Sequence, residues 1–553
     1  MGRFYSVFLV ALPIALAYRQ VFLPDLYSAT IPQLQGGLDN GDFSSADLVN
    51  TYLARIEEVN LKSPSLRTVL ELNANALNEA AHLDEERSKS GKRSPLHGIP
   101  ILLDDNIALG KNRTSSSSSI AGSDALDEDA SVVKRLRKAG AIILGKSTFS
   151  GTAHSKESLA GGQCTSAYFC KVDGCGSSSA VLTSIGLVTV SLSTETDGSI
   201  TCSSANSNVV GIKPTVGLTP WAEEHQDTTG PIARSVLDAA IVLAIIAGKD
   251  PNDQATLLQP DIVPDYTAAL RKRREPLKGK RIGVPRVAFL NDTLSGNDPS
   301  VNVLFEQALD TLKGLGATIV DPADLPSAQE ILDIYSKAQI NDLDVRAGHS
   351  SQSRLMSPEG VTDMKDTFSH NPSYDYELGA TRGIDGALKE HNLNALVLPM
   401  AASKLAAIPS GKQSLSSIAK GFLSLTYNGQ NLTAISGYPI VTVSNYLSVP
   451  MGYYPAFTTT GSPGMPIGLS FFGTAFSEFD LVGLAYAYEQ KTDTRSSRGA
   501  FRDVIPTSQL WHVIFNIVLP EAIVDRLVGA EGAIKLRLLL LIRGRAGSRL
   551  FLY

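Results

Sequence analysis

The sequence predicts an α/β protein whose largely parallel or mixed sheet is covered by helices on both faces. Residues 129–145 show helical spacing of apolar residues, then Gly140, then a short apolar strand, and the same order returns at 303–320 around Gly316. Glycine is favoured just past a helix end because it adopts the left-handed backbone conformation readily. Alternating strands and helices are typical of sheets buried on both faces, whose functional groups lie at strand ends and on the loops that follow.

The remaining elements follow from apolar periodicity. Residues 44–60 predict an amphipathic helix capped by Ser44 or Ser45, because a serine hydroxyl can accept hydrogen bonds from the first N–H groups of a helix. Its apolar face comprises Leu48, Val49, Tyr52, Leu53, Ile56 and Val59. Short apolar runs predict strands at Ile99–Leu103, Ala141–Leu144, Ile282–Val284, Ala317–Val320 and Ala395–Leu398.

Length and charge narrow the classes of function. The chain has 553 residues, of which 43% are hydrophobic, so it carries enough apolar material for a large core. A net charge of −6 argues against a nucleic-acid-binding surface. No motif indicates a metal, a nucleotide or an organic cofactor, and no pattern indicates an oligomeric state.

The first seventeen residues predict a secretory signal peptide. Arg3 supplies the positive charge, Ser6–Leu16 the short apolar region, and Ala15-Leu16-Ala17 a cleavage site before Tyr18. A buried N-terminal helix is the alternative interpretation. Secretion is compatible with three glycosylation motifs, at Asn112, Asn291 and Asn431.

The four cysteines allow two structural interpretations. A secreted chain with Cys164, Cys170, Cys175 and Cys202 can form two disulfides in three connectivities, and the sequence does not select among them. A metal site built from cysteine and histidine is the weaker alternative, because no histidine lies at ligand spacing.

Residues 505–553 form an atypical tail that is both apolar and basic. Its apolar runs, Leu510–Leu519 and Ile534–Ile542, are too short to span a bilayer. Interspersed lysines and arginines are compatible with contact to a membrane surface. An ordinary appended segment is the interpretation that we favour.

The stretch Thr194–Ile200, which reads Thr-Glu-Thr-Asp-Gly-Ser-Ile, carries the clearest chemical signal. It places Ser199 directly after a glycine, in a turn between two apolar runs. Backbone N–H groups in such a turn can stabilise an oxyanion, and a neighbouring base can activate the hydroxyl. By itself an Asp-Gly-Ser sequence is more often a structural turn. A second loop of small residues lies at 173–180, and the apolar segment Val181–Leu192 joins the two loops. The pair is a more specific indication of an active site than either loop alone, because it can bring two hydroxyls together at one edge of a sheet.

The order of motifs along the chain resembles the amidase signature family over roughly residues 25–500. The motifs are Pro95-Leu96-His97-Gly98-Ile99-Pro100, Leu144-Gly145-Lys146, Cys175-Gly176-Ser177-Ser178-Ser179, the Thr194–Ile200 stretch, Gly211-Ile212-Lys213-Pro214-Thr215 and Gly468-Leu469-Ser470-Phe471-Phe472-Gly473. The resemblance implies a single α/β/α domain with a large mixed sheet flanked by helices. It also implies hydrolysis of a small amide through an acyl-enzyme.

The resemblance implies specific roles for residues of the two loops. In that family a Ser–Ser–Lys triad performs the reaction, and Ser199 matches the nucleophile. The oxyanion hole would be formed by backbone N–H groups around Thr196, Asp197 and Gly198. The bridging serine matches Ser177 by identity within the serine loop, whereas an alignment without gaps places Cys175 there.

Three departures from the family pattern bear on activity. The family lysine lies four residues after the proline that here is Pro100, and Asp104 occupies that position. The serine loop is two residues shorter than usual, and Ser193 stands where the family usually has glycine. A carboxylate adds negative charge beside a developing oxyanion, so we expect impaired activity.

Three functional hypotheses follow from this pattern. The first is an amidase-family hydrolase with lowered activity, and the second is an inactive pseudo-amidase retained as a binding scaffold. The third, transamidation within a complex that acts on aminoacyl-tRNA, is disfavoured by the predicted signal peptide and the acidic charge.

Overall fold

A computed structural model describes residues 18–110, 128–148, 166–168, 178–195, 199–220, 228–270, 274–290, 299–330, 377–400, 440–445, 464–515, 533–539 and 551–552. The strands are β1 (Tyr18–Pro24), β2 (Val69–Leu72), β3 (Pro100–Asp104), β4 (Ile142–Ser147), β5 (Val190–Glu195), β6 (Val210–Lys213), β7 (Thr228–Ala233), β8 (Arg281–Gly283), β9 (Thr318–Val320), β10 (Ala395–Met400), β11 (Ile440–Asn445), β12 (Ile467–Phe472), β13 (Ala533–Leu539) and β14 (Phe551–Leu552).

Eleven of these strands form one mixed sheet within the described part of the chain. Their order is β2-β4-β3-β5-β7-β6-β11-β12-β10-β8-β9. The strand β3 runs parallel to both of its neighbours, β4 and β5, whereas β5 pairs antiparallel with β7. Every residue of β3, β4 and β5 is buried. Because successive side chains of a strand point to opposite faces, helices and loops must cover both faces here.

The α-helices are α1 (Ile31–Asn40), α2 (Ser45–Val59), α3 (Ala76–Ser90), α4 (Ser131–Lys138), α5 (Ser178–Ser184), α6 (Thr201–Asn206), α7 (Val236–Ile246), α8 (Arg286–Phe289), α9 (Pro299–Gly314), α10 (Asp385–Glu390), α11 (Glu478–Thr492), α12 (Thr494–Ser497) and α13 (Leu510–Phe515). A π-helical segment lies at Glu377–Ile384, and 3-10 turns lie at Gln254–Leu258, Tyr266–Ala269 and Arg502–Val504. In the described residues no helix is long and apolar enough to cross a membrane.

The mixed sheet and its helices confirm the predicted fold class. The helix predicted at 44–60 is α2, and Ser44 caps it by accepting from the N–H of Asp47 while the Asp47 carboxylate accepts from Ser44. The helix predicted before Gly140 is α4. Gly140 has a φ of 85°, and an added Cβ would lie 2.8 Å from the ring of His97, so only glycine fits this turn into β4.

A buried arginine joins α2 to distant parts of the chain. Arg55 is fully buried and donates to the backbone carbonyls of Ile185, Gly186, Pro506 and Ser508. Burial lowers the pKa of its guanidinium to about 10. These bonds tie the turn before β5 and the segment before α13 to one helix, which stabilises the start of β5.

The N-terminal strand pairs with part of the tail. β1 lies antiparallel to β13, with Tyr18 opposite Leu539, and β13 pairs in turn with β14. Residues 533–539 therefore add a strand beside β1 in a second, smaller sheet. The predicted signal peptide, residues 1–17, and much of the tail lie outside the described residues.

Two buried carboxylates lie at the N-terminus of α7. Glu489 of α11 accepts from the backbone N–H of Val236. Asp238 accepts from the backbone N–H of Ile31, the first residue of α1. Burial raises the pKa of Glu489 to about 7 and that of Asp238 to about 6, although Arg234 lowers the latter. The folded protein therefore holds protons at mildly acidic pH that the unfolded chain releases.

We expect Glu489→Gln to flatten the pH dependence of stability. Because the pKa of Glu489 is raised on folding, its contribution to stability is fully present below about pH 4 and declines until about pH 7. Relative to Glu489→Gln, the wild-type protein should lose roughly 2–3 kcal/mol of unfolding free energy across this window. Urea unfolding at several pH values measures the difference. The control is Glu390→Gln, on the exposed end of α10, which should preserve the wild-type slope. Parallel wild-type and Glu489→Gln curves would contradict the assignment.

Candidate active site

The candidate site lies where β3, β4 and β5 end. Asp104 is the last residue of β3 and is 2% exposed, and Ser147, the last residue of β4, lies opposite it in the parallel pair. The carboxyl ends of parallel strands meet at the same edge of a sheet, which is the usual place for functional groups in α/β proteins. The β5 strand then leads from the same edge toward Ser199.

Three serine hydroxyls from three different elements donate to the carboxylate of Asp104. Ser147 lies 2.7 Å and Ser179 2.5 Å from its Oδ1, and the two hydroxyl oxygens are 2.8 Å apart. Ser193 of β5 donates to Oδ2, and the backbone N–H of Thr194 lies 3.3 Å from the same oxygen. Asp104 thus acts as a hydrogen-bond acceptor that joins β4, α5 and β5.

Lys146 stabilises the loop that follows Asp104. Its ammonium group is buried and donates to the carbonyls of Asp104 at 3.2 Å, of Asp105 at 2.8 Å and of Ile107. An ammonium group has three N–H donors, and these three carbonyls use all of them. Burial lowers the pKa of Lys146 to about 8, and burial raises the pKa of the neighbouring Asp105. These contacts give Lys146 a structural task, which is to hold the loop after β3.

A second carboxylate, that of Glu195, binds the backbone directly after Ser199. Glu195 ends β5, and its Oε2 accepts from the backbone N–H groups of Ile200 and Thr201 at 2.8 and 2.7 Å. The hydroxyl of Thr201 donates to the other oxygen of Glu195 at 3.1 Å. Glu195 therefore connects the end of β5 to the start of α6, and the half-buried Ser199 lies between these two attachments.

The structure describes only part of the predicted site. Asp104 and Ser199 lie in the described residues, at a strand end and in a turn before α6 respectively. Ser177, Thr196, Asp197 and Gly198 lie outside them, as do the three glycosylation motifs at Asn112, Asn291 and Asn431. Their predicted roles stay predictions. Of the four cysteines, Cys202 of α6 is described, and its side chain is half-buried.

Sequence reasoning missed the hydroxyls that surround Asp104. Ser179, two residues after the predicted bridging serine, is the residue of the serine loop that contacts Asp104 in the described structure. Ser147 carried no signal of its own. Ser193 carried one, since it replaces a glycine of the family pattern, but its link to Asp104 depends on the pairing of β3 with β5. In the described part of the chain, no group of three or more histidine, cysteine, aspartate or glutamate side chains is arranged to hold a metal.

Comparison with known proteins places this site in a family. A model of the family described as Amidase matches residues 47–482. The chain belongs to the amidase family. A putative amidase of Arthroderma benhamiae is 36% identical, over 86% of this chain and 87% of that protein. A probable amidase of Arabidopsis thaliana is 31% identical, over 84% of this chain and 90% of that protein.

A solved structure supports the same family at the level of the fold. The native peptide amidase from Stenotrophomonas maltophilia is 34% identical with a TM-score of 0.66, over 85% of this chain and 98% of that one. The amidase described here is accordingly a hydrolase of the class that acts on carbon–nitrogen bonds of small amides. The resemblance drawn from the ordered motifs is confirmed.

We expect Lys146→Met to destabilise this amidase substantially. The substitution keeps a side chain of similar length but leaves three backbone carbonyls without their donor, which costs at least about 2 kcal/mol of unfolding free energy. Urea unfolding followed by circular dichroism measures the loss. Lys138→Met, on the exposed side of the end of α4, is the control and should change stability by less than about 0.5 kcal/mol. Equal stability of the two variants would show that the ammonium group does not hold the loop.

Proposed function

We propose that this amidase hydrolyses a small amide through an acyl-enzyme on Ser199, at a rate lowered by Asp104. The observation that carries the proposal is the hydrogen bond from Ser179 to Asp104, at the end of β3 and beside the strand β5 that leads to Ser199. A serine hydroxyl that donates its proton to a carboxylate keeps its lone pairs available to accept another proton. The contacts thus support Asp104 as the final acceptor of a proton released by Ser199.

The first step of the proposed reaction forms one covalent bond and moves two protons in a relay. Ser199 Oγ attacks the amide carbonyl while its proton passes to a bridging serine, whose own proton passes to Asp104. The tetrahedral intermediate collapses, the proton returns to the leaving nitrogen, and the amine departs. Water then repeats the sequence on the acyl-serine and releases the acid. Ser177 or Ser179 would serve as the bridging serine, and the contact with Asp104 favours Ser179.

The negative charge and low basicity of a carboxylate are the reasons for the lowered rate of hydrolysis in this proposal. A carboxylate is a much weaker base than a neutral amine, and its negative charge opposes the charge that develops on the substrate oxygen. General-base catalysis contributes about 10²- to 10⁴-fold, so a poorly matched base forfeits much of that factor. Backbone N–H groups of the turn, around Thr196–Gly198, would still stabilise the oxyanion.

An inactive pseudo-amidase is the second candidate function, and the same residue favours it. If Asp104 serves only to hold the hydroxyls of Ser147, Ser179 and Ser193, the fold would persist as a scaffold without turnover. The two candidates differ in whether Ser199 reacts faster than an ordinary serine.

A fluorophosphonate probe separates the two candidates, because it modifies an activated serine. We expect slow labelling of the wild-type protein, located to Ser199 by mass spectrometry, and none in Ser199→Ala. Ser203→Ala, a buried serine on α6, is the matched control and should label like the wild type. Release of ammonia from a peptide amide and of an amine from an aryl amide should follow the same order. Labelling of Asp104→Lys with no labelling of the wild type would contradict turnover and favour the pseudo-amidase.

We further propose that the amidase is secreted after removal of residues 1–17. The support is the charge and apolar pattern of that segment with its cleavage site before Tyr18. Expression of the full chain in a eukaryotic secretory host should release protein whose N-terminus is Tyr18. Substituting Arg3 and the apolar core of the segment should retain it in the cell. Intracellular protein that begins at Met1 in both cases would contradict secretion.

A further inference from the structure

The end of β5 is held differently on its two sides. Toward β7, backbone pairing continues to the last residue of the strand, where Glu195 lies opposite Thr228. Toward β3, backbone pairing begins with Ile101 opposite Val190 and ends with Leu103 opposite Leu192. Side chains of the β3 strand and its loop make the connection beyond that point. The geometry of β5 next to the turn therefore depends on those side chains.

Asp104 and Asn106 supply these connections. Asp104 Oδ2 accepts from the hydroxyl of Ser193 and from the backbone N–H of Thr194. The side-chain amide of Asn106 donates to the hydroxyl of Thr194 at 2.8 Å. Two consecutive residues of β5 are thereby attached to the end of β3 and to the loop after it. Lys146 in turn holds that region by donating to the carbonyls of Asp104 and Asp105.

Ser193 is the residue whose loss should loosen this attachment most selectively. Its side chain is fully buried and Asp104 is nearly so, and a hydrogen bond to a buried charged group is stronger than a neutral one. The N–H of Thr194, at 3.3 Å, is the longer of the two contacts with Oδ2. Without the hydroxyl, the contacts of the carboxylate within the described residues are this longer connection to β5 and its bonds to Ser147 and Ser179 on other elements.

We propose that Ser193 is a positioning residue for Ser199, acting as a unit with Asp104. Two carboxylates hold the chain on either side of Ser199. Asp104 holds Ser193 and Thr194 of β5. Glu195 holds the N–H groups of Ile200 and Thr201 at the start of α6. The catalytic consequence rests on the proposed role of Ser199. The effect of the Ser193–Asp104 contact on the backbone near Ser199 does not depend on that role, because it can be measured whether or not the protein hydrolyses an amide.

Hydrogen–deuterium exchange of peptides covering residues 194–201 tests the proposal without requiring activity. Ser193→Ala should raise the exchange rate of these amides about tenfold, the factor that corresponds to loss of one hydrogen bond to a charged group. Asp104→Ala should raise the exchange rate at least as much, because it also removes the acceptor of the Thr194 N–H. The double variant should exchange no faster than Asp104→Ala alone, because without the carboxylate the Ser193 hydroxyl no longer makes this connection. Ser193→Thr, which keeps a hydroxyl, should restore most of the protection.

Ser184→Ala is the matched control, since Ser184 is equally buried and its hydroxyl donates to the carbonyl of Val181 within α5. It should leave exchange at 194–201 unchanged even if it lowers the thermal midpoint as much as Ser193→Ala does. Unchanged exchange in Ser193→Ala overturns the proposal. It is also overturned if the effects of Ser193→Ala and Asp104→Ala multiply in the double variant, because the two residues then act independently. Failure of wild-type labelling by a fluorophosphonate would overturn the proposed turnover and would leave these exchange results as the decisive test of the positioning role.

Discussion

The carboxylate of Asp104 is the constraint on which the candidate site depends. It is buried at the end of a central strand, and a buried carboxylate is tolerated only when donors surround it. The donors come from β4, α5 and β5, so satisfying one side chain fixes the relative positions of three elements. The loop that carries Asp104 is itself held by Lys146, a buried cation whose donors are all used on backbone carbonyls.

The proposed function separates two properties that the resemblance assigns to one residue. The lysine that the resemblance implies at this position would supply both a charge that organises neighbouring hydroxyls and a base of suitable strength. Asp104 organises hydroxyls with a negative charge, as an acceptor of their hydrogen bonds. In the proposed reaction a carboxylate would be a weaker base than an amine, and its charge would oppose the charge that develops on the substrate oxygen. The geometry of the site is thus compatible with a well-ordered fold and slow chemistry.

Local sequence patterns predicted the elements, while the contacts around Asp104 required the fold. Apolar spacing and the cap at Ser44 predicted α2, and Gly140 predicted the junction of α4 with β4. The motif order placed Asp104 and Ser199 in one site through resemblance to a family. Ser147, Ser179 and Ser193 are separated along the chain and meet only because β3 pairs with β4 and β5, which no local pattern encodes. Ser177 matches the bridging serine by identity within a run of three serines, where spacing does not distinguish one hydroxyl from the next.

A high-resolution crystal structure of the full amidase would test the arrangement around Asp104 directly. Both carboxylate oxygens of Asp104 should accept from hydroxyls, with Ser147 and Ser179 on one oxygen and Ser193 on the other. The Lys146 ammonium should face the carbonyls of the loop after β3. An Asp104 side chain turned away from these serines, or paired directly with the ammonium of Lys146, would show that Asp104 does not join these three elements.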